Sequence, residues 1–211
     1  PAQPEDRMSQ SHPRSGSSSP GNAPTGMSTI GTSPAGRPRP ADSVLAAIEF
    51  LLLDVDGVLT DGRFWFDGTG TECKSFHVHD AAGLAYWHRA GLRSGFLSGR
   101  GGPVVQRHAA SLGVHEVVLD RLVKGVALEE ILARQQIDAQ RVCYVGDDVV
   151  DLGALQRAGV AVAVANAVAE VRAVAHWKTR KAGGHGAVRE VAERLLKAQR
   201  RWRPLLTEYA A

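Results

Sequence analysis

Cysteine is nearly absent from this chain: Cys73 and Cys143 are the only two in 211 residues. Two cysteines so far apart supply neither a disulfide scaffold nor a metal knuckle. Cys143 falls in an apolar, strand-like run, where a buried, reduced thiol is expected, and that favours a cytoplasmic protein. Long apolar runs are missing too. No segment approaches the ~20 residues needed to cross a bilayer, and no basic start leads into an apolar core, so a secretory signal and a membrane partner are not expected. Gly99-Arg100-Gly101-Gly102 lacks the GxGxxG spacing of a dinucleotide fingerprint. Aromatics make up 6% of the chain and are few in its basic C-terminal stretch, where nine Lys and Arg between Lys178 and Arg203 face only Glu190 and Glu193. With no DNA-reading motif there, no nucleic-acid partner is expected. The stretch reads as a solvated helix face whose field can draw in a small anionic substrate.

Residues 1–41 are rich in Ser, Pro and Gly and hold almost no large apolar residues. They cannot bury enough surface to offset their ordering entropy and are expected to be a disordered tail. One domain should follow over residues 42–203, with a short tail at 204–211. From Ala47 onward apolar runs alternate with helical patterns. Strands are predicted at Phe50–Leu53, Leu92–Leu97, Glu116–Leu119, Val142–Val145 and Gly159–Val164. Between them, helices are predicted at Ala81–Ala90 (capped by Asp80), from Pro103 to Leu112, at Gly125–Gln135 and at Leu152–Ala158. Helices at Ala167–Ala175 and Ala187–Trp202 should follow the last strand. This rhythm predicts an α/β fold, a doubly wound parallel sheet with helices on both faces. The exception is residues 63–78, two aromatic strand-like halves around Asp67-Gly68-Thr69-Gly70, a β-hairpin inserted after the first strand. It is too small for a cap domain, and Phe64, Trp65, Phe66 and Phe76 need cover, so it should pack against another subunit.

The chemistry concentrates at strand ends. Ile48–Gly62 reads IEFLLLDVDGVLTDG: an apolar run suited to a central parallel strand, then Asp54 and Asp56, then Gly57 for a turn, then Thr60. Ser98, Lys124 and the group Asp147, Asp148 and Asp151 follow the ends of other predicted strands. In an open α/β sheet those ends converge on one crevice. Converging carboxylates repel unless a cation joins them, and hard oxygen ligands beside a phosphate select Mg²⁺. A carboxylate can attack phosphorus, a second can carry protons, and a lysine and a hydroxyl suit the phosphoryl oxygens. His77 and His79 share a strand face, but no third residue completes a zinc set.

In this order, DVDGVLT, LSGR, Lys124 and GDDVVD resemble the four motifs of the haloacid dehalogenase superfamily of phosphatases, over about Ile48 to Leu196. The resemblance implies that Asp54 is the nucleophile and Asp56 the general acid/base. It implies that Ser98 and Lys124 bind the transferring phosphoryl group, and that Asp54, the carbonyl of Asp56 and Asp147 hold Mg²⁺. Asp148 and Asp151 would be supporting residues, Asp151 orienting Lys124. DVDGVLTDG, the hairpin, FxVxD, GDDxxDL and GGxGAxRE together resemble the capless phosphatases acting on 3-deoxy-D-manno-octulosonate 8-phosphate, enzymes of lipopolysaccharide sugar synthesis. This narrower likeness implies a homotetramer built through the hairpins, with a mobile glycine-rich segment, residues 181–187, approaching a neighbour's active site. Thr60, Gly99 and Arg100 join the substrate-binding set, Arg100 suiting a substrate carboxylate. The chain departs from the family at three places. His79 and His185 stand where arginine or lysine is frequent, and Ala81 where glycine is. With both histidines counted as substrate-binding candidates, another sugar or nonulosonate phosphate remains open as substrate. So does an accessory role like that of a small subunit of phenylphosphate carboxylase, against which the complete set Asp54, Asp56, Lys124 and Asp147 argues.

Overall fold

The computed structural model describes residues 37–210; most of the expected tail, residues 1–36, lies outside them. The elements in chain order are α1 (Asp42–Ala46), β1 (Phe50–Leu53), β2 (Trp65–Phe66), β3 (Glu72–Cys73), α2 (Val78–Arg89), β4 (Arg93–Leu97), α3 (Pro103–Leu112) and β5 (Glu116–Val118). They continue with α4 (Lys124–Gln135), β6 (Val142–Gly146), α5 (Leu152–Arg157), β7 (Val160–Ala163), α6 (Ala169–Val174), β8 (Trp177–Lys178), α7 (Ala187–Ala198) and α8 (Trp202–Ala210).

Six strands form one sheet in the order β5-β4-β1-β6-β7-β8, and every pairing in it is parallel. The centre is β1, all four of whose residues are fully buried, which is why its sequence shows no polar alternation. Helices α1, α2 and α7 pack together as one layer and α4, α5 and α6 as the other. The register decides where the chemistry lies. Leu53 pairs with Phe96 of β4 and Val145 of β6, so Asp54, Ser98 and Asp147 leave three adjacent strands within one residue of the same level.

Four expectations change. The sheet gains β8, a two-residue edge strand whose register is set by Val162↔Trp177 and Ala163↔Lys178. The final helix is two: α7 stops at Ala198, Arg200 takes a left-handed φ of 59°, and α8 resumes over the segment expected to be a tail, burying Leu205. The hairpin pairs only Trp65–Phe66 with Glu72–Cys73, and no other regular element separates β1 from α2. Finally, α2 is capped by His77, whose Nδ1 accepts from the His79 amide at 3.1 Å.

Asp80 serves a different helix. Its buried carboxylate accepts from Gly186 N at 3.0 Å and Arg189 N at 2.9 Å, the amides at the start of α7. It is an N-cap supplied from another element. Burial raises its pKa above the ordinary carboxylate value, against the pull of those amides. The preceding glycines lie behind the loop that follows β1. Gly183 N donates to Asn166 Oδ1 at 2.9 Å and Gly184 N to Val58 O at 3.0 Å. A Cβ on Gly183 would fall 1.7 Å from the Gly57 carbonyl oxygen. The segment expected to be mobile makes these hydrogen bonds to the chain around it, and its glycine permits close backbone approach.

Candidate active site

The strand ends open into a cavity of about 280 Å³ lined by Asp54, Asp56, Ser98, Gly99, Arg100, Lys124, Asp147 and Asp148, with Phe64, Leu122 and Val150 at its apolar side. At its floor Lys124, the first residue of α4, is 1% exposed. Its Nζ lies 2.7 Å from Asp54 Oδ1 and 2.6 Å from Asp151 Oδ1. Burial pulls the Lys124 pKa down, but the charges of Asp54 and Asp151 more than reverse this and hold it above its ordinary value. For Asp54 the balance goes the other way. Burial, then the Asp151 charge, raise its pKa well above the usual range in spite of Lys124. The amide of Val55 also donates to Asp54 Oδ1, at 2.7 Å, so that the lysine and this amide both engage Oδ1 rather than Oδ2.

Asp151 is fully buried and accepts four hydrogen bonds, from Lys124 at 2.6 Å, Tyr144 Oη at 2.7 Å, and the amides of Asp147 at 2.9 Å and Asp148 at 3.2 Å. It fixes both the lysine and the turn after β6. Asp54, Asp147 and Asp151 can bring one oxygen each within 4.8 Å of the others. Asp151 has no free lone pair directed at a cation after four donors, whereas Asp147 Oδ1 is buried with no hydrogen-bond partner among the described residues. Burial and the Asp151 charge push the Asp147 pKa up to about 7. A partnerless buried carboxylate oxygen facing a second carboxylate fits a hard divalent cation.

The loop geometry explains two residues beside Asp54. Gly57 has a φ of 91°, and a Cβ there would lie 2.0 Å from Asp147 Oδ2, so only glycine lets that carboxylate cross the loop. Thr60 does not line the cavity. Its buried Oγ1 accepts from the amides of Gly57 and Gly62, each at 3.2 Å, and closes the loop from behind. His79 and His185 also lie outside the cavity lining; His79 is an exposed residue in the first turn of α2, and exposed His185 bonds through Nδ1 to Gly183 O at 2.8 Å. Ser98 is buried, its Oγ accepting from Arg100 N at 3.1 Å.

The pattern of haloacid dehalogenase-like hydrolases matches residues 103–191. The chain is 38% identical over 155 residues to the 3-deoxy-D-manno-octulosonate 8-phosphate phosphatase of Haemophilus influenzae, covering 74% of this chain and 86% of that one. To the enzyme of Escherichia coli it is 37% identical over 164 residues, covering 77% and 87%. The crystal structure of 3-deoxy-D-manno-octulosonate 8-phosphate phosphatase from Moraxella catarrhalis, in complex with magnesium, phosphate and KDO, superposes with a TM-score of 0.78 at 34% identity, covering 80% of this chain and 97% of that one. This chain is a member of the octulosonate 8-phosphate phosphatase family. The cobalt-bound Haemophilus influenzae structure is also similar, with a TM-score of 0.73 and 37% identity over 75% of this chain and 93% of that one.

In this family member the hairpin brings one more residue to the site, Lys74. Its side chain is 2% exposed, with Nζ 2.5 Å from Asp56 Oδ1 and 2.7 Å from Glu72 Oε1. Glu72 in turn binds the Arg100 guanidinium at 3.0 Å, and Lys74 and Arg100 both lie over the Phe64 ring, at 5.1 and 4.3 Å from its centroid. Asp56 Oδ2 is buried and without a partner among the described residues. No spacing rule pointed to Lys74, because its contact depends on the hairpin folding back over the site. Lys74→Met is expected to lower kcat about ten-fold with a smaller change in KM, measured by steady-state phosphate release; an unchanged kcat would remove Lys74 from the positioning of Asp56.

Proposed function

We propose that the chain is a Mg²⁺-dependent phosphomonoesterase that converts 3-deoxy-D-manno-octulosonate 8-phosphate to the free sugar acid and phosphate. The observation that carries this reading is the Lys124–Asp54–Asp151 cluster with the partnerless Asp147 oxygen beside it. Asp54 Oδ2 attacks phosphorus in line with the sugar oxygen, which leaves as Asp56 gives it a proton from Oδ2. Lys124 offsets negative charge on the phosphoryl oxygens as they pass through the transition state, and Ser98 Oγ donates to one of them. Asp56 then takes a proton from water as the water attacks the aspartyl phosphate, freeing phosphate and restoring Asp54. Asp54, the Asp56 carbonyl and Asp147 would hold Mg²⁺, which when bound supplies charge that joins these carboxylates to the phosphoryl oxygens. Arg100 at the rim suits the substrate's carboxylate and is kept extended by Glu72.

The homotetramer is part of the same reading. Phe64, Trp65 and Phe66 are 42%, 59% and 63% exposed in the single chain, an aromatic ribbon that association would cover. No helix among the described residues is long and apolar enough to cross a membrane. The decisive measurement is phosphate release by the full chain over a panel of sugar phosphates. The octulosonate 8-phosphate should give the highest kcat/KM, and EDTA should abolish turnover with recovery on adding Mg²⁺. Preference for a nonulosonate 9-phosphate would overturn the substrate assignment and leave the mechanism standing. Activity undiminished in EDTA would overturn the metal's part.

A further inference from the structure

A second concavity, between α1, β8 and α7, has a volume of about 810 Å³ against 280 Å³ for the catalytic cavity, and the two share no lining residue. Cations from separate elements converge on it: Arg39 before α1, Lys178 in β8, Lys181 beyond it and Arg194 in α7. None of these four makes an ion pair among the described residues, whereas the acids beside them are engaged. Glu190 accepts the amides of Arg180 at 3.0 Å and Lys181 at 3.2 Å. Glu193 lies 2.6 Å from Lys197 and 3.5 Å from Arg189. Asp42 is the one remaining acid in the lining. The Arg194 guanidinium sits 4.2 Å from the Trp177 ring centroid, and burial together with the nearby Arg39 charge depresses its pKa. A solvated helix face would fan its charges outward. Here like charges from separate parts of the chain border one groove, Arg194 half-buried and Arg39, Lys178 and Lys181 exposed, an arrangement an anion relieves.

The shape narrows the anion. The volume lies within the roughly 300–1,000 Å³ of small-molecule sites. An extended strand of nucleic acid needs a track with stacking platforms, and the aromatic ring in this groove, Trp177, is already covered by Arg194. Arginines and lysines that outnumber the acids among them, and of which Arg39, Lys178, Lys181 and Arg194 make no ion pair among the described residues, match phosphate oxygens.

We propose that this groove binds a compact polyphosphate, the chemistry shared by inorganic polyphosphate and the tail of a nucleoside triphosphate. The test is calorimetric titration of the full chain with tripolyphosphate and with ATP, at about 0.15 M salt and in EDTA, so that Mg²⁺ chemistry in the catalytic cavity is silent. Both ligands should bind saturably, one per chain. Lys178→Gln with Arg194→Gln should weaken binding about ten-fold or more. Arg200→Gln with Arg203→Gln, which removes the same charge from outside the groove, should leave it unchanged. Lys178 is exposed, so Lys178→Gln alone keeps the test readable should Arg194→Gln disturb α7. Equal affinity for the two ligands assigns the inorganic chain, and tighter ATP binding assigns the nucleotide. Equal weakening in both double variants, no change in the first, or binding of long RNA alone would each overturn the proposal.

Discussion

Asp54→Asn should lower kcat by at least about 10⁴-fold, because it removes the attacking oxygen and leaves only binding and charge stabilisation. The same variant should be no less stable than the parent when metal is removed. The folded-state pKa of Asp54 is raised, by burial first and then by Asp151, so folding favours its protonated form. A group of that kind contributes stability that is present below its unfolded pKa, near 3.8, and lost as pH rises through the folded one. At neutral pH the metal-free parent therefore carries a charge its fold disfavours, and the neutral amide does not. Melting curves in EDTA should show the variant at or above the parent, with the gap widening as pH rises above 5. Phosphatase activity retained in the variant would overturn the mechanism. A lower melting temperature at neutral pH would mean that the Lys124 ion pair, not burial, decides the balance.

Lys124→Met is expected to have the largest effect on stability. The lysine is the only cation within ion-pairing reach of Asp54 and Asp151 among the described residues. Removing it strands two buried carboxylates, which costs about 3–5 kcal/mol by the usual behaviour of broken buried pairs, or roughly 10 °C in Tm for a domain of this size. Turnover should fall by about 10²–10³-fold with the lost charge on the phosphoryl oxygens. Adding Asp54→Asn should recover part of the stability and none of the activity. A double variant less stable than Lys124→Met alone would show that the loss comes from packing around the lysine stem.

The parts legible from sequence were those whose signal is local. The buried run of β1 and the residues directly following β1, β4 and β6 are read from consecutive positions, and parallel register does the rest. Residues whose role depends on a distant partner were not legible in this way. Asp80 has the helix-start position of a cap, yet it caps α7, and nothing near it in sequence indicates Gly186. Lys74 looks like one more polar residue on a hairpin until that hairpin folds over Asp56. Thr60 sits at a motif position that suggests substrate contact, but its hydroxyl points back to two amides of its own loop. At Gly183 freedom of the backbone and closeness of another chain segment demand the same residue, so the glycine alone does not separate the two readings. The break between α7 and α8 is not legible because a left-handed Arg200 leaves no mark in hydrophobic spacing, and α8 carries Pro204 in its first turn, where proline is tolerated.

The contact between Asp80 and the start of α7 joins residues 106 positions apart, and the one from Gly184 back to Val58 spans a longer separation still. During synthesis from the N-terminus, the strand bearing Asp54 emerges long before the segment that backs its loop. Loop-closure entropy has to be met before such contacts form. The nascent chain can assemble β1, β4 and β6 and still lack the wall behind Gly57 until its last quarter is released. Turnover would then begin only once the whole polypeptide exists, and a ribosome-bound fragment would hold the catalytic carboxylates without the backing that positions them.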